Sequence, residues 1–416
     1  MKPTVYILAG GLGTRLAHVV GDVPKPMAPV AGKPFLEWQI AWLARQGFDD
    51  IVLMVGHRRE VIMDHFGDGS GFSVTIRYAV ERELLGTGGA VQAALREHPC
   101  ECFVILNGDT FFDVDLVWLT EYMLASVPED AVCLALKYRE DTRRYGSVTV
   151  DGRWQVRGFV EKAGDLADGY INGGIYVGRP AALADAGSGR MSMETEIFPR
   201  LVQGGRLFGV PFGGRFIDIG IPEDYAFANR TLPDWFSADR RPALFLDRDG
   251  VLIEDTGYVC NPDAVVFRDD VLTMLAESLA GAGTVLVIVS NQAGIAKGKM
   301  SPADAEAVNA RVVARMRELG LEVAGVWYCP YHESGSVPEW TRASLQRKPE
   351  PGMILLAADA LGLDVGRSLM VGDKESDRIN LPYLATHILA GRYPVEDADP
   401  TVEGMRRAIE ERGLGG

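Results

Sequence analysis

Leu8-Ala9-Gly10-Gly11-Leu12-Gly13-Thr14-Arg15 follows the apolar burst Val5 to Ala9, so a buried strand passes directly into a glycine-rich loop. Glycines at such a point let backbone N–H groups approach an anion, and Arg15 adds a cation. A second stretch, Leu246-Asp247-Arg248-Asp249-Gly250-Val251, ends another apolar run and spaces two aspartates by two residues. That spacing lets one carboxylate attack phosphorus while the other serves the leaving oxygen. Both stretches are strand-end loops of the kind α/β folds use for anions, and one chain carries the two of them.

Working outward, the bursts Ile51–Val55, Phe103–Leu106 and Val132–Leu136 alternate with helical periodicity at Phe35–Leu43 and Thr87–Leu95. The alternation restarts after residue 240, with Ala243–Leu246, Val285–Val289 and Leu369–Val371 as strands and Ser301–Leu319 as a helix opening on Ser-Pro. Two doubly wound α/β domains are expected: residues 1–232, a linker at 233–241 holding Pro233, and residues 242–416. A length of 416 residues exceeds one ordinary core and suits this division.

Composition narrows the function. A net charge of -15 argues against nonspecific nucleic-acid binding, which rests on lysine and arginine patches. No apolar run is long enough to span a bilayer, and the start lacks a signal-peptide pattern, so a cytoplasmic protein acting on small molecules is expected. Five scattered cysteines fit a reducing compartment. A homo-oligomer is left open.

In the first half, Lys25 stands between Pro24 and Pro26, which fix the backbone on both sides and present its ammonium rigidly. Asp109 ends the burst at Phe103, and Asp218 ends Phe216-Ile217; the carboxyl ends of strands are where open α/β sheets bind ligands. Converging, the two would make a hard oxygen site for Mg²⁺.

These residues resemble the sugar-1-phosphate nucleotidyltransferase family. The match runs through Leu8 to Leu16, Pro24-Lys25, Gly86-Thr87-Gly88-Gly89, Gly108-Asp109, Glu161-Lys162, Asn172-Gly173-Gly174 and Asp218, over about residues 1 to 232. The resemblance implies a Rossmann-like mixed sheet and in-line attack of a sugar 1-phosphate on the α-phosphorus of a nucleoside triphosphate. The nucleotide would lie against Leu8, Ala9, Gly10, Gly11, Gly13, Thr14, Gly86 and Thr87, with Arg15 and Lys25 offsetting developing charge. The sugar phosphate would lie against Gly108, Glu161, Lys162, Asn172 and Gly173. Glu81 and Glu83 fall in the stretch that lines the base pocket in this family. A carboxylate there could accept from the two adjacent donors of guanine. The strings Phe216 to Tyr225, Pro24 to Val30 and Asn107 to Phe112 look most like the D-glycero-D-manno-heptose 1-phosphate guanylyltransferases. Another base or another sugar phosphate stays open at this point.

In the second half, Ser290-Asn291 closes a strand and can donate to phosphoryl oxygens. Lys348, in Arg347-Lys348-Pro349, can neutralise a nucleophile and a phosphate. Gly372-Asp373-Lys374-Glu375-Ser376-Asp377 ends another strand and can hold Mg²⁺. This set resembles the haloacid dehalogenase superfamily, in its histidinol-phosphate and heptose 1,7-bisphosphate 7-phosphatase branch, with Ser290 to Ala296 and Gly257-Tyr258-Val259 supporting the branch. The resemblance implies a parallel sheet, an aspartyl-phosphate on Asp247, Asp249 as acid and then base, Ser290, Asn291, Arg347 and Lys348 around phosphate, and Mg²⁺ on Asp247, the Asp249 carbonyl and Asp373. The branch commonly carries a zinc loop. Here only Cys329 keeps its place, while Tyr331, Ser344 and Gln346 stand at the other ligand positions, so no zinc is expected. That loop must then be ordered by packing through Tyr331 and Trp340. A non-catalytic binding role for the second half is the alternative from a different class.

Overall fold

A computed structural model describes residues 2–11, 21, 23–142, 147–160, 168–187 and 189–416. The chain divides into two compact units, Met1–Ala238 and Asp239–Gly416. The first is built on a nine-stranded mixed sheet. Thr4–Leu8 lies between Asp50–Val55 and Phe103–Asn107 and is parallel to both. Val5, Tyr6 and Ile7 have no exposed surface, so the strand reads as an unbroken apolar run, as strands covered on both faces do. Beyond Phe103–Asn107 the sheet turns antiparallel through Gly169–Gly178. The parallel carboxyl ends at Leu8 and Asn107 therefore open side by side where strand order reverses, a crevice suited to a ligand.

Gly169–Gly178 breaks register against Val132–Arg139 between Asn172 and Tyr176. The break needs glycine. Gly174 has φ of +74°, and a Cβ on Gly173 would lie 2.5 Å from the Phe112 ring. A small antiparallel pair, Thr110–Phe112 with Phe216–Asp218, sets Asp218 opposite Thr110, and Ile219 N–H donates to the Asp109 carbonyl at 3.0 Å. Two aspartates over a hundred residues apart are joined by that ladder.

The linker expected at 233–241 is helical in its first part. Pro222–Ser237 forms one helix with Pro233 inside it. A proline in a helix interior costs about 3 kcal/mol, and packing outweighs it here: Leu232 is fully buried, Phe236 meets Trp38 edge-on at 5.2 Å, and the Arg45 guanidinium lies 3.8 Å from the Phe236 ring centre.

The second unit holds a five-stranded parallel sheet in the order Val323–Cys329, Val285–Asn291, Ala243–Leu246, Leu369–Gly372, Ala385–Ile388. Ala243–Leu246 is central and wholly buried, each large side chain contributing roughly 1.5–3 kcal/mol by burial. The Ser-Pro start expected at 301 is a capping box: Ser301 and Asp304 close the N-terminus of the helix Pro302–Glu318. The expected fold class, a mixed sheet followed by a parallel one, matches both units.

Candidate active sites

In the first unit a cavity of about 430 Å³ opens at the strand-end crevice. Leu8, Gly10, Gly11, Lys25, Glu81, Gly86, Thr87, Gly108 and Asp109 line it, which brings together motifs spread over a hundred residues. Ala9 is buried beneath, its N–H bonded to the Met54 carbonyl at 2.9 Å. A Cβ on Gly10 would stand 2.6 Å from Glu81 Oε1 and 3.1 Å from the Gly56 backbone nitrogen, so the loop passes close to both. The Glu81 carboxyl thus lies against the first loop, and burial pushes it above its ordinary range. Glu83 is exposed and lies outside the lining. Gly86 has φ of +70°, and Gly88 and Gly89 both donate to the Met191 carbonyl. The glycines after Leu85 therefore let a helix start pack against the segment around Met191.

Lys25 forms an ion pair with Asp109 and lies 3.6 Å from Asp218 Oδ1. Asp218 Oδ1 also accepts from Gly220 N–H at 2.7 Å. The two aspartates do converge, and an ammonium stands between them as a cation would. Two carboxylates gathered around a positive charge are a donor set that fits a hard divalent ion. Asn172 and Gly173 are not part of the cavity lining. Asn172 donates to the Tyr176 hydroxyl at 3.0 Å, and Tyr176 donates to Asn107 at 3.4 Å, so the motif reaches the cavity through Asn107. Gly13, Thr14, Arg15, Glu161 and Lys162 lie outside the described residues.

Leu84 and Glu194 line the cavity without having been expected there. Glu194 belongs to a single π-helical turn, Met193–Ile197, a local geometry no periodicity rule picks out.

In the second unit a cavity of about 420 Å³ takes Asp247, Asp249, Ser290, Asn291, Arg347 and Lys348 into its wall. Every one sits at or just beyond the carboxyl end of a parallel strand or on the loop packed against those ends. Lys348 is nearly inaccessible and bridges three groups: Asp247 Oδ1 at 3.0 Å, Asp377 Oδ1 at 2.6 Å and the Val289 carbonyl at 3.0 Å. Asn291 holds the Lys348 backbone from both sides, accepting from its N–H and donating to its carbonyl, each at 3.0 Å. Burial pushes the Asp247 carboxyl well above its ordinary range, with Lys348 pulling it back.

The expected metal set was the carboxylates of Asp247 and Asp373 with the backbone carbonyl of Asp249. The carboxylate oxygens that lie together are those of Asp247, Asp373 and Asp377, all within 4.8 Å of one another. The Asp249 side chain turns away. It accepts from Arg248 at 3.0 Å and from Gln292 at 2.8 Å, and only its carbonyl faces Lys374, at 3.5 Å. Both Asp373 oxygens are buried with no hydrogen-bond partner. Gly250 at φ +97° and Gly391 leave space beside them, where a Cβ would come within 2.0 and 2.7 Å of Asp373 Oδ2. Buried carboxylate oxygens without a hydrogen bond, gathered with those of Asp247 and Asp377 and paired, among the described residues, only with the Lys374 ammonium at 3.6 Å, fit a divalent cation.

The loop after Cys329 is ordered by packing: the Tyr331 and Trp340 rings meet at 5.5 Å, and Arg342 lies 3.8 Å from the Tyr331 ring centre. Cys329 Sγ faces the Tyr331 carbonyl at 3.9 Å, and His332 Nδ1 accepts from Ser334. Arg347 Nη1 is buried without a hydrogen-bond partner, and burial lowers the guanidinium's pKa.

Residues 4–234 match the nucleotidyl transferase family model, and residues 345–379 match the HAD-hydrolase-like model. Over 219 residues the chain is 42% identical to the D-glycero-alpha-D-manno-heptose 1-phosphate guanylyltransferase of Campylobacter jejuni, covering 53% of this chain and 95% of that one. Its C-terminal region is 42% identical over 136 residues to the D-glycero-beta-D-manno-heptose-1,7-bisphosphate 7-phosphatase of Salmonella typhi, covering 33% of this chain and 72% of that one. The crystal structure of HddC from Yersinia pseudotuberculosis complexed with GMP-PN superposes with a TM-score of 0.50 at 34% identity, over 55% of this chain and 99% of that one. Both families are generally dependent on a divalent metal. Among the described residues no helix is long and apolar enough to cross a membrane.

Proposed function

The chain belongs to the nucleotidyl transferase family, and from that premise we propose that it activates a heptose in two steps, the second unit acting first. A D-glycero-D-manno-heptose 1,7-bisphosphate loses its 7-phosphate in the second unit. The remaining 1-phosphate is then joined to GMP from GTP in the first. The carrying observation is the pairing: one chain matches a guanylyltransferase and a phosphatase that both handle heptose phosphates. GTP and sugar phosphates are cytoplasmic metabolites, and the cytoplasm is where we place the protein.

In the second unit, an Asp247 oxygen attacks phosphorus, the P–O bond to C7 breaks, and the departing oxygen takes a proton from Asp249. Water, deprotonated by Asp249, then cleaves the aspartyl-phosphate to free phosphate. Asp249 lines the cavity and accepts from Arg248 and Gln292 in the present arrangement, so proton donation requires it to release part of that bonding. Ser290 and Asn291 hold the phosphoryl oxygens, joined by Lys348 as its bond to Asp247 is released, and Arg347, whose Nη1 has no hydrogen-bond partner, faces the remaining anionic part of the substrate. In the first unit a 1-phosphate oxygen attacks the α-phosphorus of GTP and the bond to the β-phosphate oxygen breaks, releasing pyrophosphate. Lys25, with Arg15, offsets the charge that develops there. Mg²⁺, held by Asp109 with Asp218 and by Asp247, Asp373 and Asp377, supplies charge neutralisation on phosphate oxygens when bound.

The anomeric phosphate blocks ring opening, so the C1 configuration entering the phosphatase is the one that reaches the transferase. The named relatives differ in it, alpha for one and beta for the other. Both units here must accept a single anomer. The test supplies each anomer of the bisphosphate with GTP, ATP, UTP, CTP or dTTP and follows phosphate and pyrophosphate. One anomer should give both products, with GTP the preferred donor. A chain that releases phosphate from one anomer and pyrophosphate only from the other would sink the two-step reading.

Glu81 carries the base preference. Its carboxylate can accept from N1–H and the 2-amino group of guanine together, which an amide cannot. Glu81→Gln should lower kcat/KM for GTP by roughly tenfold to a hundredfold, a loss of about 1–3 kcal/mol, and narrow the gap to UTP. Steady-state kinetics with both donors checks this, and an unchanged GTP preference would remove Glu81 from base recognition.

A further inference from the structure

Glu194 places a negative charge inside a cavity that, on the reading above, takes two anionic substrates. Unlike Asp109, Glu194 has no ion pair with Lys25 or another cation among the described residues, and a carboxylate without a cation beside it is repelled by phosphate, so it suits a neutral part of a ligand. Its orientation is fixed. Oε2 accepts from the Thr87 hydroxyl at 2.9 Å and from the Ser192 hydroxyl at 2.9 Å, and Thr87 in turn accepts from Met193 N–H at 2.8 Å. These bonds occupy one oxygen and leave Oε1 as an acceptor. The base is accounted for by Glu81, which lies against the loop after Leu8. The turn that carries Glu194 runs directly into Phe198, whose ring meets Tyr176 edge-on at 5.0 Å. Tyr176 is bonded to Asn172 and Asn107, so Glu194 stands on the side of the cavity where the bulged strand and Asp109 meet.

We propose that Glu194 recognises hydroxyl groups of the sugar ring and fixes the sugar 1-phosphate for attack. A carboxylate whose Oε2 is held by two hydroxyls presents Oε1 in a fixed position to accept from a ligand hydroxyl, and such charge-assisted bonds are about twice as strong as neutral ones. Thr87 and Ser192 are positioning residues for it. The Gly86-Thr87 motif therefore serves two purposes, with glycines for close packing of the helix start and a hydroxyl for orienting Glu194.

The inference rests on the cavity taking a sugar 1-phosphate, and the test separates the two. The full chain is assayed as wild type, Glu194→Gln and Glu194→Ala with GTP and whichever sugar 1-phosphate the wild type uses best. Nucleotide affinity is measured by titration with a non-hydrolysable GTP analogue. Glu194→Ala should raise KM for the sugar 1-phosphate at least about tenfold, with nucleotide affinity within about twofold of wild type. Glu194→Gln, which retains one acceptor oxygen and its bonds to Thr87 and Ser192, should fall between. Preserved nucleotide binding also shows that the variants fold. A comparable loss of nucleotide affinity would assign Glu194 to the ribose and overturn the proposal, as would an unchanged sugar KM. A wild-type chain that uses no sugar 1-phosphate would overturn the parent reading as well.

Discussion

Asp247→Asn is expected to abolish phosphate release from the bisphosphate while pyrophosphate release from GTP and sugar 1-phosphate continues at the wild-type rate. An amide keeps the shape of the side chain but cannot form the aspartyl-phosphate, and loss of a covalent nucleophile costs at least about a thousandfold. The fold should tolerate the change. Burial disfavours ionised Asp247, so a neutral isostere removes an unfavourable buried charge. Lys348 keeps Asp377 at 2.6 Å and the Val289 carbonyl at 3.0 Å. A thermal-unfolding midpoint close to wild type should accompany the loss. The two reactions use disjoint residues: none of the groups lining the first cavity lies beyond Gly220, and none lining the second lies before Asp247. If both activities vanished together, independent sites would be wrong, and so would the assignment of Asp247 to phosphate release alone.

What was legible in the sequence follows from one geometric fact. A parallel strand buried on both faces is an apolar run, and the residues just past it emerge at the ligand-binding edge. Asp247, Ser290, Asn291 and Asp373 could be read for that reason, and so could Gly10, Gly11 and Asp109. Asp377 closes the string read as able to hold Mg²⁺ but was not singled out as a ligand, because it follows its strand by a short 3-10 turn, Glu375–Asp377. The structure buries it completely and aims it at Lys348. The rotamer of Asp249 was not legible, because spacing fixes a backbone and not a side chain: Arg248, itself buried and anchored on Asn309 at 2.8 Å, holds the Asp249 carboxylate. Pro233 signalled a linker, and the aromatic packing of Phe236 overrode it. Glu194 left no trace in periodicity, since its π-helical turn exists to answer contacts made by Thr87 from a hundred residues earlier in the chain.

Lys25→Met should move two observables in opposite directions. Pyrophosphate release should fall about a hundredfold to a thousandfold, the usual cost of deleting a fixed charge aimed at a developing one. Divalent-ion binding without nucleotide should strengthen. The reason lies in the arrangement at rest: the Lys25 ammonium pairs with Asp109 and stands 3.6 Å from Asp218, where it screens two carboxylates that would otherwise repel one another. A cation entering between them must displace that ammonium, so the lysine competes with the metal until a triphosphate draws it away. Removing the competitor leaves both carboxylates unneutralised and raises their joint affinity for a hard cation. Titration with Mn²⁺, followed by its paramagnetic signal, should show at least about tenfold tighter binding in Lys25→Met than in wild type. Asp109→Asn added to Lys25→Met should erase the gain, because one carboxylate is then gone. Unchanged Mn²⁺ affinity in the single variant would mean that Asp109 and Asp218 do not act as one site. A weakened affinity would mean that Lys25 organises the pair instead of guarding it. In either case nucleotide affinity measured on the same variants separates the two duties assigned to Lys25, since contact with the triphosphate is lost in every variant that lacks the ammonium, whatever the carboxylates do.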